Sequence, residues 1–144
     1  MRSYCAYQER CHSEVRGRLL EYQVYGQDLE DIISELVTEG FLNELRFAQS
    51  YARGKFRMKQ WGRMRIRQEL KRRSISDYCI KKGMLEIDLE DYHDTLVKLL
   101  KKKLRLTSEP NPYKLKRKLT EHAVRKGYEY ENINMALQDV FADS

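Results

Sequence analysis

Between Arg46 and Arg73 the chain carries eleven arginines and lysines against a single acid, Glu69. Arg53, Lys55, Arg57, Lys59, Arg63, Arg65, Arg67, Lys71, Arg72 and Arg73 are the side chains of this block with the chemistry to hold a partner. A second block, residues 98–126, sets eleven bases against two acids; its candidates are Lys101, Lys102, Lys103, Lys114, Lys116, Arg117 and Lys118. The flanks reverse the sign. Residues 1–45 hold nine acids against four bases, and 74–97 and 127–144 each carry a net charge of −4. Guanidinium and ammonium groups only donate hydrogen bonds and stay charged at neutral pH, so clusters of them hold phosphates or carboxylates. One basic helix face is ordinarily a solvated face. Two, separated by acidic segments, imply a polyanionic partner, either nucleic acid or an acidic protein surface.

Covalent and acid–base chemistry has no comparable candidates. His12, His93 and His122 are scattered, none beside a Ser, Cys or acid in a nucleophile arrangement, and the seven glycines stand singly instead of forming a phosphate-cradling loop. Asp88, Glu90 and Asp91 fit the first turn of a helix, where the macrodipole favours acids, better than a metal site. Cys5, Cys11 and Cys79 are an odd number without a CxxC pair and read as reduced thiols. No catalytic residue, cofactor, metal or small-molecule substrate is expected, and an enzyme is not expected. No apolar run approaches the ~20 residues of a membrane span. The opening Met1-Arg2-Ser3-Tyr4-Cys5 lacks the apolar segment of a secretory signal, so the expected location is cytoplasmic, without membrane contact.

The elements that must position the charges come from one apolar pattern found three times. It runs Val15, Leu19, Val24, Leu29, Ile33, then Ile66, Leu70, Ile75, Ile80, Met84, then Leu119, Ala123, Tyr128, Ile133, Leu137. A four-residue step puts two side chains on one helix face; a five-residue step holding a turn residue, then another four, describes helix, tight turn, helix. Self-similarity at a fixed period marks a repeat architecture whose units bury their open faces on their neighbours. Only two prolines in a chain of 35% charged residues favour helix over sheet.

With a leading helix added, each repeat has three helices, giving units 1–42, 43–88 and 89–144, nine helices and no strand. The predicted helices run Ser3–Glu9, Cys11–Tyr22, Asp28–Thr38, Asn43–Lys59, Arg63–Arg73, Asp77–Leu85, Leu89 to about Arg105, Pro112–Arg125 and Glu129–Val140. Asp28, Asn43, Ser76 and Asn111 are read as N-caps, Pro112 as the N1 residue, and Gly40 and Gly127 as terminators. Phe47, Tyr51 and Met58 share one helical face, and Phe47, Tyr51 and Trp61 are read as core aromatics. Gly62 would allow two helices to approach closely.

The string Arg46-Phe47-Ala48, the run Tyr51 to Lys59, and Trp61-Gly62-Arg63 through Ile66-Arg67, Leu70 and Ile75-Ser76 resemble the RecX family of RecA regulators. The resemblance extends through the Leu/Lys-rich residues 96–105 and Asn111-Pro112-Tyr113, covering roughly residues 9 to 140. Where the family tends to place glycine in the inter-helix turn, this chain has Gln23 and Ser74 and keeps only Gly127. The resemblance implies an all-α protein of three tandem three-helix repeats in an elongated curved array. It implies a monomer that binds the RecA filament on single-stranded DNA and inhibits recombinase, ATPase and co-protease activity, a role in homologous recombination, DNA repair and the SOS response. A different reading of the basic helices alone is a helical-repeat protein acting directly on DNA. Gln60 and Gln68 are isolated among the bases, so the contact expected there is with phosphates more than with base edges.

Overall fold

The structure, a computed structural model, describes residues 1–142. Among these residues there are nine helices and no strand: α1 (Arg2–Tyr7), α2 (His12–Glu21), α3 (Gly26–Thr38), α4 (Glu44–Lys59), α5 (Arg63–Arg72), α6 (Asp77–Met84), α7 (Leu89–Arg105), α8 (Pro112–Lys126) and α9 (Tyr130–Ala142). The leading position of each apolar repeat is fully buried, Val15, Ile66 and Leu119 alike, and the paired positions Leu29, Ile80 and Ile133 are buried as well.

The five-residue step in the pattern has a specific physical origin. After α2 the Val24 N–H donates to the Leu19 carbonyl and the Gln23 N–H to the Leu20 carbonyl; Ile75 and Ser74 do the same to Leu70 and Lys71, and Tyr128 and Gly127 to Ala123 and Val124. Each is a Schellman cap, in which the residue after the helix turns left-handed and the next apolar residue folds back on the helix five positions earlier. At these three caps the left-handed residues are Gln23 (φ 62), Ser74 (φ 59) and Gly127 (φ 104). The repeat is therefore a repeated helix stop. Gln23 and Ser74 are exposed, so their left-handed backbone is strained without any compensating side-chain burial. Gln23→Gly and Ser74→Gly should each raise stability by about 0.5–1 kcal/mol once glycine's larger unfolded-state entropy is subtracted. Urea unfolding followed by circular dichroism measures this; a lower midpoint in both variants would contradict the strain.

Two compact units emerge. The first comprises Met1–Arg53 and Gln68–Glu86, the second Gly54–Arg67 and Ile87–Ser144, the latter described to residue 142. In the first, Cys5, Val15, Leu19, Leu29, Ile33, Leu36 and Leu42 form an apolar core. Gly83 there lies against the Ala48 carbonyl so closely that a Cβ would meet its oxygen at 2.9 Å. The Glu44 carboxylate accepts from the Ser76 N–H at 2.6 Å. In the second, α7 packs on α8 and α9. Phe56, Tyr92 and Tyr128 form a ring series there, with centroids 5.8 and 4.9 Å apart.

Caps at Asn43, Ser76 and Asn111 are present, each side-chain oxygen accepting backbone N–H groups of the first turn. Asp28 is not a cap: α3 starts at Gly26, two residues earlier, and Asp28 sits inside its first turn. Met58 is 82% exposed instead of sharing the buried face of Phe47. The buried positions on α4 are Phe47, Ala48, Ala52 and Phe56, a face that rotates along the helix and leaves position 58 outside it. Trp61 is not core either. It is half-buried, with the Arg65 guanidinium 4.1 Å and the Lys55 ammonium 5.0 Å from the ring centroid. A half-buried indole with two cations near its ring is a site of cation–π contact, not a core position.

Candidate polyanion-binding surface

The basic side chains divide into those engaged within the protein and those free to meet a partner. Arg63 is engaged most completely. Its Nε donates to Glu129 at 2.7 Å, and its guanidinium lies 4.4 Å from the centroid of the Tyr92 ring. The Tyr92 hydroxyl in turn donates to Glu129 at 2.5 Å and accepts the Arg63 backbone N–H at 2.9 Å. Arg53 pairs with Glu86 at 3.3 Å, and Arg72 and Arg73 share Glu69, each at 3.1 Å. Arg73 also stands 5.0 Å from the Tyr51 ring centroid. Lys118 pairs with Glu109 at 3.0 Å and holds that carboxyl below its ordinary range. Lys55 and Arg65 flank Trp61, and Lys101 is half-buried on α7.

Arg57, Lys59, Arg67, Lys71, Lys102, Lys114, Lys116 and Arg117 are exposed, and no carboxylate among the described residues pairs with them. Lys103 is half-buried and likewise has no ion pair. On α5 the buried residues Ile66 and Leu70 fix the inner face, which turns Arg67, Lys71 and Arg72 outward. On α8 the corresponding inner residues are Leu119 and Ala123, and Lys114, Arg117, Lys118 and Arg125 lie on the opposite arc.

The repeat frame adds a comparison that charge counts alone hide. Equivalent positions read Glu14, Arg65 and Lys118 in the three copies, and Glu21, Arg72 and Arg125 two turns on. The second helix is thus acidic at these positions in the first copy and basic in the other two. Arg125 was absent from the sequence-derived candidates. Its signal was this equivalence to Arg72, once the turn residues set the offset.

His93 meets Asp139 at 2.6 Å, with Asp139 largely exposed, and no Ser or Cys among the described residues hydrogen-bonds to the pair. Cys5 and Cys11 are buried, and burial pushes both thiols above their ordinary range, away from reactive thiolate. No group of three metal-ligating side chains occurs, and no helix is long and apolar enough to cross a membrane, among the described residues.

Residues 43–84 match the family description "RecX, second three-helix domain" and residues 90–137 match "RecX, third three-helix domain". The "Regulatory protein RecX" of Bacillus cytotoxicus is 28% identical over 138 residues, covering 96% of this chain and 51% of the relative. That of Clostridium perfringens is 31% identical over 127 residues, covering 87% of this chain and 59% of the relative. The chain spans about half the length of the curated relatives it matches. The crystal structure of RecX from Lactobacillus salivarius superposes with a TM-score of 0.87 at 21% identity, covering 97% of this chain and 91% of that one. A second, titled a regulatory protein RecX, gives 0.86 at 22% identity over 94% and 68%. These structures share the fold of tandem three-helix domains. On the two matched three-helix domains and this shared fold, the chain belongs to the RecX family.

Proposed function

We propose that the chain is a non-enzymatic regulator that binds the RecA filament on single-stranded DNA and inhibits recombinase, ATPase and co-protease activity. The proposed body is three three-helix units, 1–42, 43–88 and 89–144, in a cytoplasmic monomer acting in recombinational DNA repair and the SOS response. The observation that carries this reading is the set of exposed cations of the second and third copies that have no ion pair among the described residues. A nucleoprotein filament offers phosphates and protein carboxylates at regular intervals, and a repeated contact gains strength by multivalency. The contacts proposed are Arg57, Lys59, Arg67 and Lys71 with Lys102, Lys114, Lys116 and Arg117, supported by the partly engaged Arg53, Lys55, Arg65, Arg72, Arg73, Lys101, Lys103 and Lys118. Arg63 belongs to the clasp with Glu129 and Tyr92 and contributes to the fold first.

The test reverses Arg67, Lys71 and Arg72 to Glu together. All three are exposed, and among the described residues the one ion pair they make, Arg72 with Glu69, is a surface pair worth about 0–1 kcal/mol. Helicity should be unchanged. The concentration needed to slow RecA ATPase on single-stranded DNA should rise about a hundredfold, because attractions become repulsions at three positions. A folded variant that inhibits like the parent would remove the charge-based support for this reading. Binding of the parent to DNA without RecA, with equal affinity, would favour the direct DNA binder instead.

A further inference from the structure

The last turn of α7, the following loop and α8 enclose an open recess of about 320 Å³ in the second compact unit. Lys103, Thr107, Ser108, Lys118, Glu121 and Arg125 contribute to its lining. Three of these are cations and one is an acid. Lys118 is tied to Glu109 at 3.0 Å, whereas Lys103 and Arg125 have no ion pair among the described residues. The Thr107 hydroxyl donates its proton to the Lys103 carbonyl at 2.7 Å, so Thr107 has no hydroxyl proton left to give. Ser108 is exposed and its hydroxyl makes no such bond among the described residues, which leaves it as the available donor.

A second observation reports the local field. His122 is half-buried on α8, and its imidazole is pushed below its ordinary range, first by burial and then by the charges of Lys103, Lys126 and Arg125. The charges of Lys103 and Arg125 therefore reach a neighbouring group as well as the recess. The ligand that suits it is an anion with oxygens in several directions. A planar carboxylate presents two oxygens in one plane, while a phosphoryl group presents three or four in a tetrahedron. The lining donors come from three separate segments, α7, the loop and α8, an origin that suits the second shape better than the first.

The geometry points to a phosphoryl-binding recess at the α7–α8 corner, in which Lys103 and Arg125 neutralise the anion and the Ser108 hydroxyl donates to it. Such a group can come from a nucleic-acid phosphodiester or from free phosphate. The site needs no RecA, so its test is independent of the proposed filament contact.

The experiment is a heteronuclear NMR titration of the full chain with inorganic phosphate, with a short oligothymidylate, and with sodium chloride at matched ionic strength. Saturable shifts at Thr107, Ser108 and the His122 ring are expected with a phosphoryl ligand, and the His122 pKa should rise as the bound anion offsets the cations. Lys103→Gln with Arg125→Gln should weaken binding about tenfold or more, since charge-assisted bonds dominate such sites. Ser108→Ala should weaken it about two- to fivefold. Lys98→Gln removes the same charge from an exposed position on α7 and should change little. Tighter binding of the oligothymidylate assigns the recess to nucleic-acid backbone; equal or tighter binding of inorganic phosphate assigns it to free phosphate. Sodium chloride producing the same shifts, or the double variant binding like the parent, would overturn the proposal.

Discussion

Gly62→Ala should cost the protein about 3 kcal/mol or more, beyond ordinary overpacking, because the atoms it would strike are backbone. A Cβ at position 62 would sit well inside 3.0 Å of the Gly127 carbonyl carbon and oxygen and 2.5 Å from the Tyr128 nitrogen. No side chain can rotate away to relieve that contact. Moving the backbone would stretch the Gly62 N–H bond to the Lys126 carbonyl, 2.8 Å, and the Met64 N–H bond to the Gly127 carbonyl, 2.9 Å. Gly127→Ala should be comparably damaging for two reasons. Its left-handed φ of 104 opposes any Cβ, and the new atom would lie 2.7 Å from the Arg65 backbone nitrogen and closer still to the Arg65 Cβ. Gly54→Ala is the control: its Cβ would meet nothing within 4 Å, and within α4 alanine should add about 0.5–1 kcal/mol. Urea denaturation with matched slopes measures all three. A Gly62→Ala protein within about 1 kcal/mol of the parent would mean that this backbone crossing does not hold the unit together.

The same crossing accounts for a difference among the three turns. Gln23 and Ser74 take left-handed backbone at some cost but point exposed side chains into solvent. At position 127 the turn is packed against Gly62 and Arg65, and no side chain fits. Of these three turns, glycine stands at the one where both conformation and space demand it, and Gln or Ser at the two where only conformation does.

The repeated helix stops were readable in the sequence because a Schellman cap is local: its apolar pair lies five residues apart, with a turn residue between them. Caps at Ser76 and Asn111 were readable for the same reason, since donor and acceptor are two or three residues apart. The clasp of Arg63, Tyr92 and Glu129 was not, because its members are 29 to 66 residues apart and each alone reads as an ordinary surface or core residue. Trp61 misled for a related reason. Periodicity says that an aromatic meets the protein on one face, but only the fold reveals that Lys55 and Arg65 lie against the Trp61 ring. For the candidate surface, the charge blocks and their second-helix position were legible; which cations are occupied by Glu69, Glu86, Glu109 or Glu129 was not.

Two buried tyrosines should give the protein a steep alkaline limit. Tyr92 and Tyr128 are each 1% exposed. Burial, followed by the hydrogen bond to Glu129, pushes the Tyr92 hydroxyl well above its ordinary range. Burial, followed by the Glu129 charge, does the same to Tyr128, whose hydroxyl donates to the Gln60 carbonyl at 2.9 Å. In the unfolded chain both phenols ionise near pH ~10, while the native protein keeps both protons above that pH. The native state then binds more protons than the unfolded state. The stability linked to these groups is complete below pH ~10 and falls as pH rises further, by about 1.4 kcal/mol per unit for each tyrosine, or about 2.7 for the pair. Tyr128→Phe should halve this added slope and cost about 1 kcal/mol at neutral pH for the lost bond. Tyr92→Phe should also halve it, with a larger neutral cost of about 2–3 kcal/mol, because the Arg63 N–H loses its acceptor and Glu129 a donor. The ring packing with Phe56 persists in either variant, so the slope separates the hydroxyl from the aromatic contribution. Urea midpoints at pH 8, 10 and 11 provide the measurement. A double Phe variant that loses stability above pH 10 as steeply as the parent would show that these two protons do not set the alkaline limit.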